Sequence, residues 1–269
     1  MNLRLLLTTL AAVVWLATQC DAGSPKRLVL LGQGPDGHPP RTHEYMAGLR
    51  ILAKCFQEVR GLEITTIRVD APSRDVEKVL AEADGIVLFL AEGAKWTQQD
   101  SQRAEALAKL AARGGGMAGL HWAIGTKQTK PIQPFLNLFG GCHGGADRKY
   151  KVLEAVAQVA DHKHPIANGI SHFKVKDEFY YELKFIQPKG SITPVLQVTI
   201  DDRPQTVAWC WERPDGGRSF GFSGLHFHEN WGLPEYRRLV AQGVLWTLKL
   251  PVPEKGLAVP VAEDDLLLK

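Results

Sequence analysis

Short apolar runs alternate with stretches whose apolar residues recur every three or four positions, and this rhythm changes near residue 121. Residues 27–31 read as a buried strand that empties into a turn-rich segment, Gly32-Gln33-Gly34-Pro35-Asp36-Gly37. Thr42 can cap a helix from residue 43 to about 59, with Leu49, Leu52, Ala53 and Phe56 sharing one face. Residues 64–69 are the next predicted strand, 75–83 a helix, 85–90 a continuously apolar strand, 97–113 a long helix and 116–120 another buried strand. Strands that are apolar on both faces and alternate with helices imply a mostly parallel sheet covered on both sides.

Beyond residue 121 the pattern becomes strand-rich. A short helix over 131–139 leads into Gly140-Gly141-Cys142-His143-Gly144-Gly145, which reads as a flexible loop. Strands follow over 150–159, 173–183, 192–200, 206–211 and 219–225, separated by turn signals such as Pro214-Asp215-Gly216-Gly217. Pro234 can open a closing helix that runs to about 248. The expected fold is therefore α/β, a parallel central sheet with helices on both faces and added antiparallel strands in the C-terminal half. It divides into a leader over 1–22, a single domain over 24–252 and a loosely attached tail over 253–269.

The leader changes where the protein is expected to work. Arg4 precedes an almost unbroken apolar run over residues 5–18, and Cys20-Asp21-Ala22 supplies small residues where a signal peptidase cuts, so a secreted or periplasmic protein starting near Gly23 is expected. The run of about 14 residues is short for a membrane span of roughly 20. Gln19 precedes Cys20 where a lipid-attachment signal needs a small residue, which argues against an anchor there. Cys55, Cys142 and Cys210 remain, enough for one disulfide at most, and no C-x-x-C pair exists to hold zinc.

Composition narrows the partners. The 269 residues carry a net charge of +3 and are 45% hydrophobic, and their Lys and Arg residues are scattered without a basic stripe, which excludes a dedicated nucleic-acid surface. A small molecule is the expected partner, with room for a homo-oligomer.

The tripeptide Gly-Leu-His occurs twice, as Gly119-Leu120-His121 and Gly224-Leu225-His226, each closing a predicted strand. In open α/β sheets ligands bind beyond the carboxyl ends of the strands, so both imidazoles are candidates for chemistry near pH 7. No Ser or Cys occupies the turn at His121, which disfavours acyl transfer through a covalent intermediate. His226 and His228 would share one face on an extended backbone, and with His43 and His121 they form a candidate divalent-metal set, zinc being one choice. His43 and Glu44 sit at a helix N-terminus on the same rim, where Glu44 also complements the helix dipole.

Asp177-Glu178-Phe179-Tyr180 places two carboxylates in a strand, and alternation sends them to opposite faces, so only one can point into a cleft. Glu178 joins His121 and His226 as a candidate for proton transfer. Asp177, Tyr180, His143, Trp122 and Trp231 are candidate substrate contacts, the aromatic rings offering faces for a sugar. Each also has an ordinary use: packing for the aromatics, an ion pair for the acids, a hydrogen-bonded core position for the histidines.

Taken together these pieces resemble the ThuA-like family, named for trehalose utilisation and similar in fold to flavodoxin-like class I glutamine amidotransferases. The resemblance runs from Arg27 to Leu250. It is carried by the loop leading to Thr42-His43-Glu44, by Gly114-Gly115-Gly116-Met117-Ala118-Gly119-Leu120-His121 and by Phe139-Gly140-Gly141. It continues through His164-Pro165-Ile166, Asp177-Glu178-Phe179-Tyr180, Ala208-Trp209 and Gly217-Arg218-Ser219-Phe220 to His226. The family commonly shows Gly-His where this chain has Leu225-His226. What the resemblance implies is a role in carbohydrate metabolism, on trehalose-related glycosides or their 3-keto forms. Glutaminase activity should be absent, because His121 stands where an amidotransferase has its cysteine. The reading that follows is His-based, metal-assisted acid/base catalysis. A non-catalytic carbohydrate-binding protein and a metal-dependent hydrolase of an envelope sugar derivative are the alternatives.

Overall fold

The computed structural model describes residues 24–71, 75–188 and 191–268, so the expected leader and Cys20 lie outside the described residues. The first half contains β1 (Lys26–Gly32), α1 (Tyr45–Cys55), β2 (Leu62–Arg68), α2 (Val76–Glu82), β3 (Gly85–Phe89), α3 (Gly93–Trp96), α4 (Ser101–Ala112) and β4 (Gly116–Leu120). The second contains β5 (Gly125–Thr126), α5 (Ile132–Phe139), β6 (Gly141–Gly144), β7 (Lys149–Val159), β8 (Phe173–Tyr181) and β9 (Lys184–Phe185). It closes with β10 (Thr193–Ile200), β11 (Arg203–Glu212), β12 (Arg218–Phe222) and α6 (Pro234–Thr247).

Nine strands form one sheet in the order β2-β1-β3-β4-β12-β11-β10-β7-β8. The five from β2 to β12 pair in parallel, the doubly wound arrangement in which the order reverses beside β1. The four from β11 to β8 pair antiparallel. The fold is thus α/β with a large, mostly parallel central sheet extended by antiparallel strands.

The continuous apolar runs are explained by burial on both faces. Leu28 and Leu30 of β1, Val87 and Phe89 of β3 and Ala118 and Leu120 of β4 pack with α1 and α6, while Val29, Leu31, Ile86, Leu88 and Met117 pack with α2, α4 and α5. Each fully buried Leu, Ile or Val contributes about 1.5–3 kcal/mol, and no polar alternation is compatible with a strand covered twice. Cys55, Cys142 and Cys210 are free and buried in this core. Among the described residues no helix is long and apolar enough to cross a membrane.

Several boundaries differ from expectation, each for a local reason. The first helix starts at Tyr45, because His43 has φ 53° and cannot be helical; Thr42 does not cap it, its hydroxyl donating to Pro39 O instead. The long helix expected over 97–113 begins only at Ser101, where Asp100 caps its start by accepting from Arg103 N–H. Residues 141–144 are not a loose loop but a buried strand paired with β5 and β9.

The tail is also corrected. Rather than hanging free, it is tied down through Leu257 and Val259, which are buried against α6. Arg237 Nε donates to Val259 O, and Leu257 N–H donates to Gln242 Oε1. Its prolines keep residues 251–260 irregular without preventing packing, and a short 3-10 turn forms over Glu263–Leu266.

The last feature positions the site. Asp177 of β8, four places from β12 in the sheet, accepts hydrogen bonds from Leu225 N–H at 2.7 Å and His226 N–H at 3.1 Å. The antiparallel half therefore curls back over the carboxyl edge of the parallel half.

Candidate functional site

Three segments leaving the carboxyl edge each deliver one imidazole. His43 comes from the loop after β1, His121 follows β4 immediately, and His226 lies four residues beyond β12. His43 N–H donates to His226 O at 3.0 Å and His228 N–H to Arg41 O at 2.8 Å, so the loops after β1 and β12 are joined through their backbones. His43, His121 and Leu225 have φ values of 53°, 49° and 81°. Non-glycine residues held there cost on the order of 1–3 kcal/mol each, and such strain persists only where the surroundings enforce it. At Leu225, where the family commonly has glycine, Asp177 grips the backbone and the Leu side chain is buried.

The ring nitrogens can be assigned from their partners. His121 Nδ1 lies 2.8 Å from Ser223 O, a carbonyl that only accepts, so Nδ1 carries the proton and Nε2 a lone pair. His43 Nδ1 lies 2.8 Å from Asp36 Oδ2, which also receives the Tyr45 hydroxyl at 2.7 Å. Burial alone would raise the Asp36 carboxyl, but hydrogen bonds from His43, Tyr45 and His38 hold it well below the ordinary carboxylate range. His43 therefore donates through Nδ1 and turns Nε2 toward the cleft.

The two Nε2 atoms face each other. His43 Nε2 and His121 Nε2 are 3.0 Å apart, and His226 Nδ1 lies 3.0 Å from the first and 3.3 Å from the second. Glu178 Oε1 completes the group at 3.7 Å from His226 Nδ1 and 4.0 Å from His121 Nε2, and the four ligand atoms lie within 4.8 Å of one another. Nitrogens about 2.0–2.1 Å from a tetrahedral zinc are separated by roughly 3.3 Å, close to the spacing here. Burial, followed by the charges of His43 and His226, holds His121 well below its ordinary range, and burial pushes His226 down to about 4.

Glu178 and Asp177 have separate tasks, as strand alternation requires. Asp177 points inward, accepting from Leu225, His226 and Glu178 N–H and from the Tyr236 hydroxyl. Burial raises it to about 6 in spite of these bonds. Glu178 faces the cleft, where burial and then the Asp177 charge push it up to about 7. With His121 and His226 neutral, its contacts to them are not ion pairs. Tyr180 places its hydroxyl 3.1 Å from His121 Nε2 and stays protonated, because burial raises it well above its ordinary value.

The cleft in front of this group has a volume of about 460 Å³ and is walled by His38, Trp122, Lys127, His143, Arg148, Tyr150 and Tyr180 along with His43, Glu178 and His226. His143 stacks on Tyr180 at 3.9 Å between ring centres, and burial lowers it to about 3. Trp122 stands edge-on to both at 5.7 and 5.9 Å and is half-buried.

Of the residues singled out from sequence, His43, His121, His226, Glu178, Tyr180, His143 and Trp122 are brought together. His228 is not. The extended backbone assumed for His226-Phe227-His228 turns into a short 3-10 segment at His228, whose Nε2 lies 3.0 Å from Leu266 O. Glu178 takes its place in the candidate metal set. Trp231 is not a sugar platform either: it is 1% exposed, its ring 6.2 Å from Phe89. Glu44 accepts from Arg41 N–H, and Asp177 supports the backbone from behind.

Sequence reasoning missed Asp36, His38, Tyr45, Lys127, Arg148 and Tyr150. His38 is an exposed loop residue whose ring centre lies 3.7 Å from that of His43, tilted by 35°, and which bonds Asp36 Oδ1 at 2.8 Å. Asp36 stands between Pro35 and Gly37, where turn chemistry explains an aspartate fully.

Fold and site define a doubly wound α/β protein with a histidine-rich cleft at the carboxyl edge of its sheet. The family model described as trehalose utilisation matches residues 29–247, and the chain belongs to this ThuA family. A ThuA-like protein from Bacteroides uniformis superposes with a TM-score of 0.63 at 14% identity, over 84% of this chain and 92% of that one. One from Parabacteroides merdae gives 0.63 at 12%, over 91% and 100%. The Trypanosoma brucei CTPS glutaminase domain gives 0.43 at 14%, over 86% and 97%. No curated protein matches the chain.

Proposed function

We propose that this ThuA-family chain is an exported carbohydrate-processing enzyme with a divalent metal, such as zinc, held by His43, His121 and His226 with Glu178 beside it. The observation that carries the reading is the convergence of three buried ring nitrogens, His43 Nε2, His121 Nε2 and His226 Nδ1, at 3.0–3.3 Å from one another, with Nδ1 of His43 and of His121 engaged elsewhere. A buried, crowded set of imidazole nitrogens with a carboxylate beside it suits a divalent cation. Asp36 behind His43 and the Ser223 carbonyl behind His121 are the outer partners that orient metal-bound imidazoles. Export is supported by the leader pattern over residues 1–22.

A divalent ion in this position supplies polarisation of a sugar carbonyl or hydroxyl oxygen. Glu178, poised near neutrality, accepts or returns a proton at a carbon or hydroxyl next to that oxygen. Tyr180 donates a hydrogen bond from a phenol that stays protonated, and Trp122 offers an apolar face to the ring. Such a set fits isomerisation or elimination on a trehalose-related or 3-keto glycoside.

The test combines metal analysis of the purified protein with NMR observation of 3-keto-trehalose in deuterated buffer. About one zinc or equivalent ion per chain, with deuterium incorporation or product lost in His121→Ala, is the expected result. A chain that takes up no divalent ion when one is supplied overturns the metal centre, and turnover retained by His121→Ala overturns the role of that histidine.

A further inference from the structure

The charges around the cleft mouth are not evenly satisfied. On the surface beside it, Lys149 pairs with Glu182 at 2.7 Å, Lys151 with Asp201 at 2.6 Å and Lys184 with Asp147 at 2.7 Å. Arg148, within the same segment but facing the cleft, pairs with no carboxylate among the described residues. One of its guanidinium nitrogens donates to Gly145 O at 3.0 Å, and the group lies 6.0 Å from the ring centre of Trp122. Lys127 repeats the pattern on the adjoining wall. Its backbone N–H donates to Glu92 Oε2 at 2.9 Å, while its ammonium forms no ion pair among the described residues.

The carboxylates do not offset these cations. Glu178 is the one carboxylate among the residues lining the cleft, and it lies deep beside the imidazoles. Asp36 is occupied by His38, His43 and Tyr45. A guanidinium with free N–H groups, partly buried over an aromatic face, has the planar fork that binds carboxylate or phosphate oxygens with two bonds, and a nearby ammonium adds a point charge.

We infer that Arg148 and Lys127 form an anion subsite, so that the substrate is a sugar carrying a carboxylate or phosphate, bound with its ring along Trp122 and its reacting carbons toward His43, His121 and His226. This rests on the reading of the cleft as a sugar site and narrows it from glycosides in general to acidic ones. The histidine cluster and the cationic pair lie on different parts of one cleft, so the acidic group orients the sugar without occupying the reaction centre.

Calorimetric titration of the purified chain, with and without zinc, with glucose, glucuronate and glucose 6-phosphate tests this. An anionic sugar should bind about tenfold or more tighter than glucose, and the advantage should shrink with added salt. Whether glucuronate or the phosphate ester gains more identifies the acidic group. Arg148→Gln combined with Lys127→Gln should bring both anionic sugars down to the affinity of glucose, with thermal midpoint and zinc stoichiometry as in the parent. Equal binding of glucose and both anions overturns the subsite, as does an advantage that survives the double substitution or the failure of both anions to bind. Zinc stoichiometry is read separately, so a failed metal centre and a failed anion subsite give different results.

Discussion

His43 Nε2 lies 3.0 Å from His121 Nε2, while the opposite ring nitrogens are engaged by Asp36 behind His43 and by the Ser223 carbonyl behind His121. The carboxylate behind His43 therefore fixes which nitrogen faces the cleft, and it makes that nitrogen more basic. Asp36→Asn should lower zinc affinity by about 10–100-fold, the usual cost of losing an outer partner. Competition with a chromogenic chelator measures this, and an affinity equal to the parent's would remove Asp36 from the site's support.

Glu178 gives a pH-dependent prediction. Its carboxyl is raised from 4.5 to about 7 by burial and the Asp177 charge, so the folded protein binds this proton more tightly than the unfolded chain. The stability it contributes is fully present below pH 4.5 and is lost as pH rises through about 7. Glu178→Gln mimics the neutral acid. In metal-free protein it should match the parent at pH 4.5 and exceed it at pH 8 by on the order of 1 kcal/mol or more. Comparing parent and variant at each pH cancels the opposite trend from His226, lowered to about 4, whose stabilisation is lost on acidification below about 6.5. A difference that does not grow with pH would contradict the assignment.

Gly93 touches the turn that carries His121. A Cβ there would stand 2.1 Å from Ala123 O, a backbone atom that cannot rotate away. Gly93→Ala should cost about 1–3 kcal/mol in urea unfolding and should weaken zinc binding together with stability, because residues 121–124 must shift as a unit. Normal stability and normal zinc affinity together would show that the turn yields freely.

Removing residues 251–269 should destabilise the domain by more than about 3 kcal/mol. Leu257 and Val259 leave the core, and the buried Arg237 and Gln242 each lose a partner. Urea denaturation of the shortened chain checks this; an unchanged midpoint would return the segment to the status of a loose tail.

The parallel half of the fold was legible from the sequence because doubly covered strands permit little except apolar runs, and residues 85–89 and 116–120 show this most clearly. His121 and His226 were legible as strand-end histidines, and Glu178 through alternation against Asp177. The placing of His228 required φ/ψ values that no local pattern reveals: Leu225 at φ 81° and the 3-10 turn at His228 break the extended path on which the His-x-His reading depended. Trp231 looked like Trp122 in sequence, and only the packing of Phe89 and Gly48 against it separates a core ring from a cleft ring.

The layered α/β architecture, the gathering of histidines at the carboxyl edge and the motifs shared with the ThuA family follow from the chain alone, because hydrophobic period and strand-end residues are local quantities. Which nitrogens face one another, that Asp36 orients His43, that Glu178 rather than His228 joins the histidines, and that Arg148 and Lys127 share their cleft emerge only from the folded arrangement. Those relations join residues as far apart as His43 and His226, whose rings meet at 3.0 Å. They depend on β8 curling over the sheet edge and on strained turns held by long-range hydrogen bonds, which have no signature within any window of the chain.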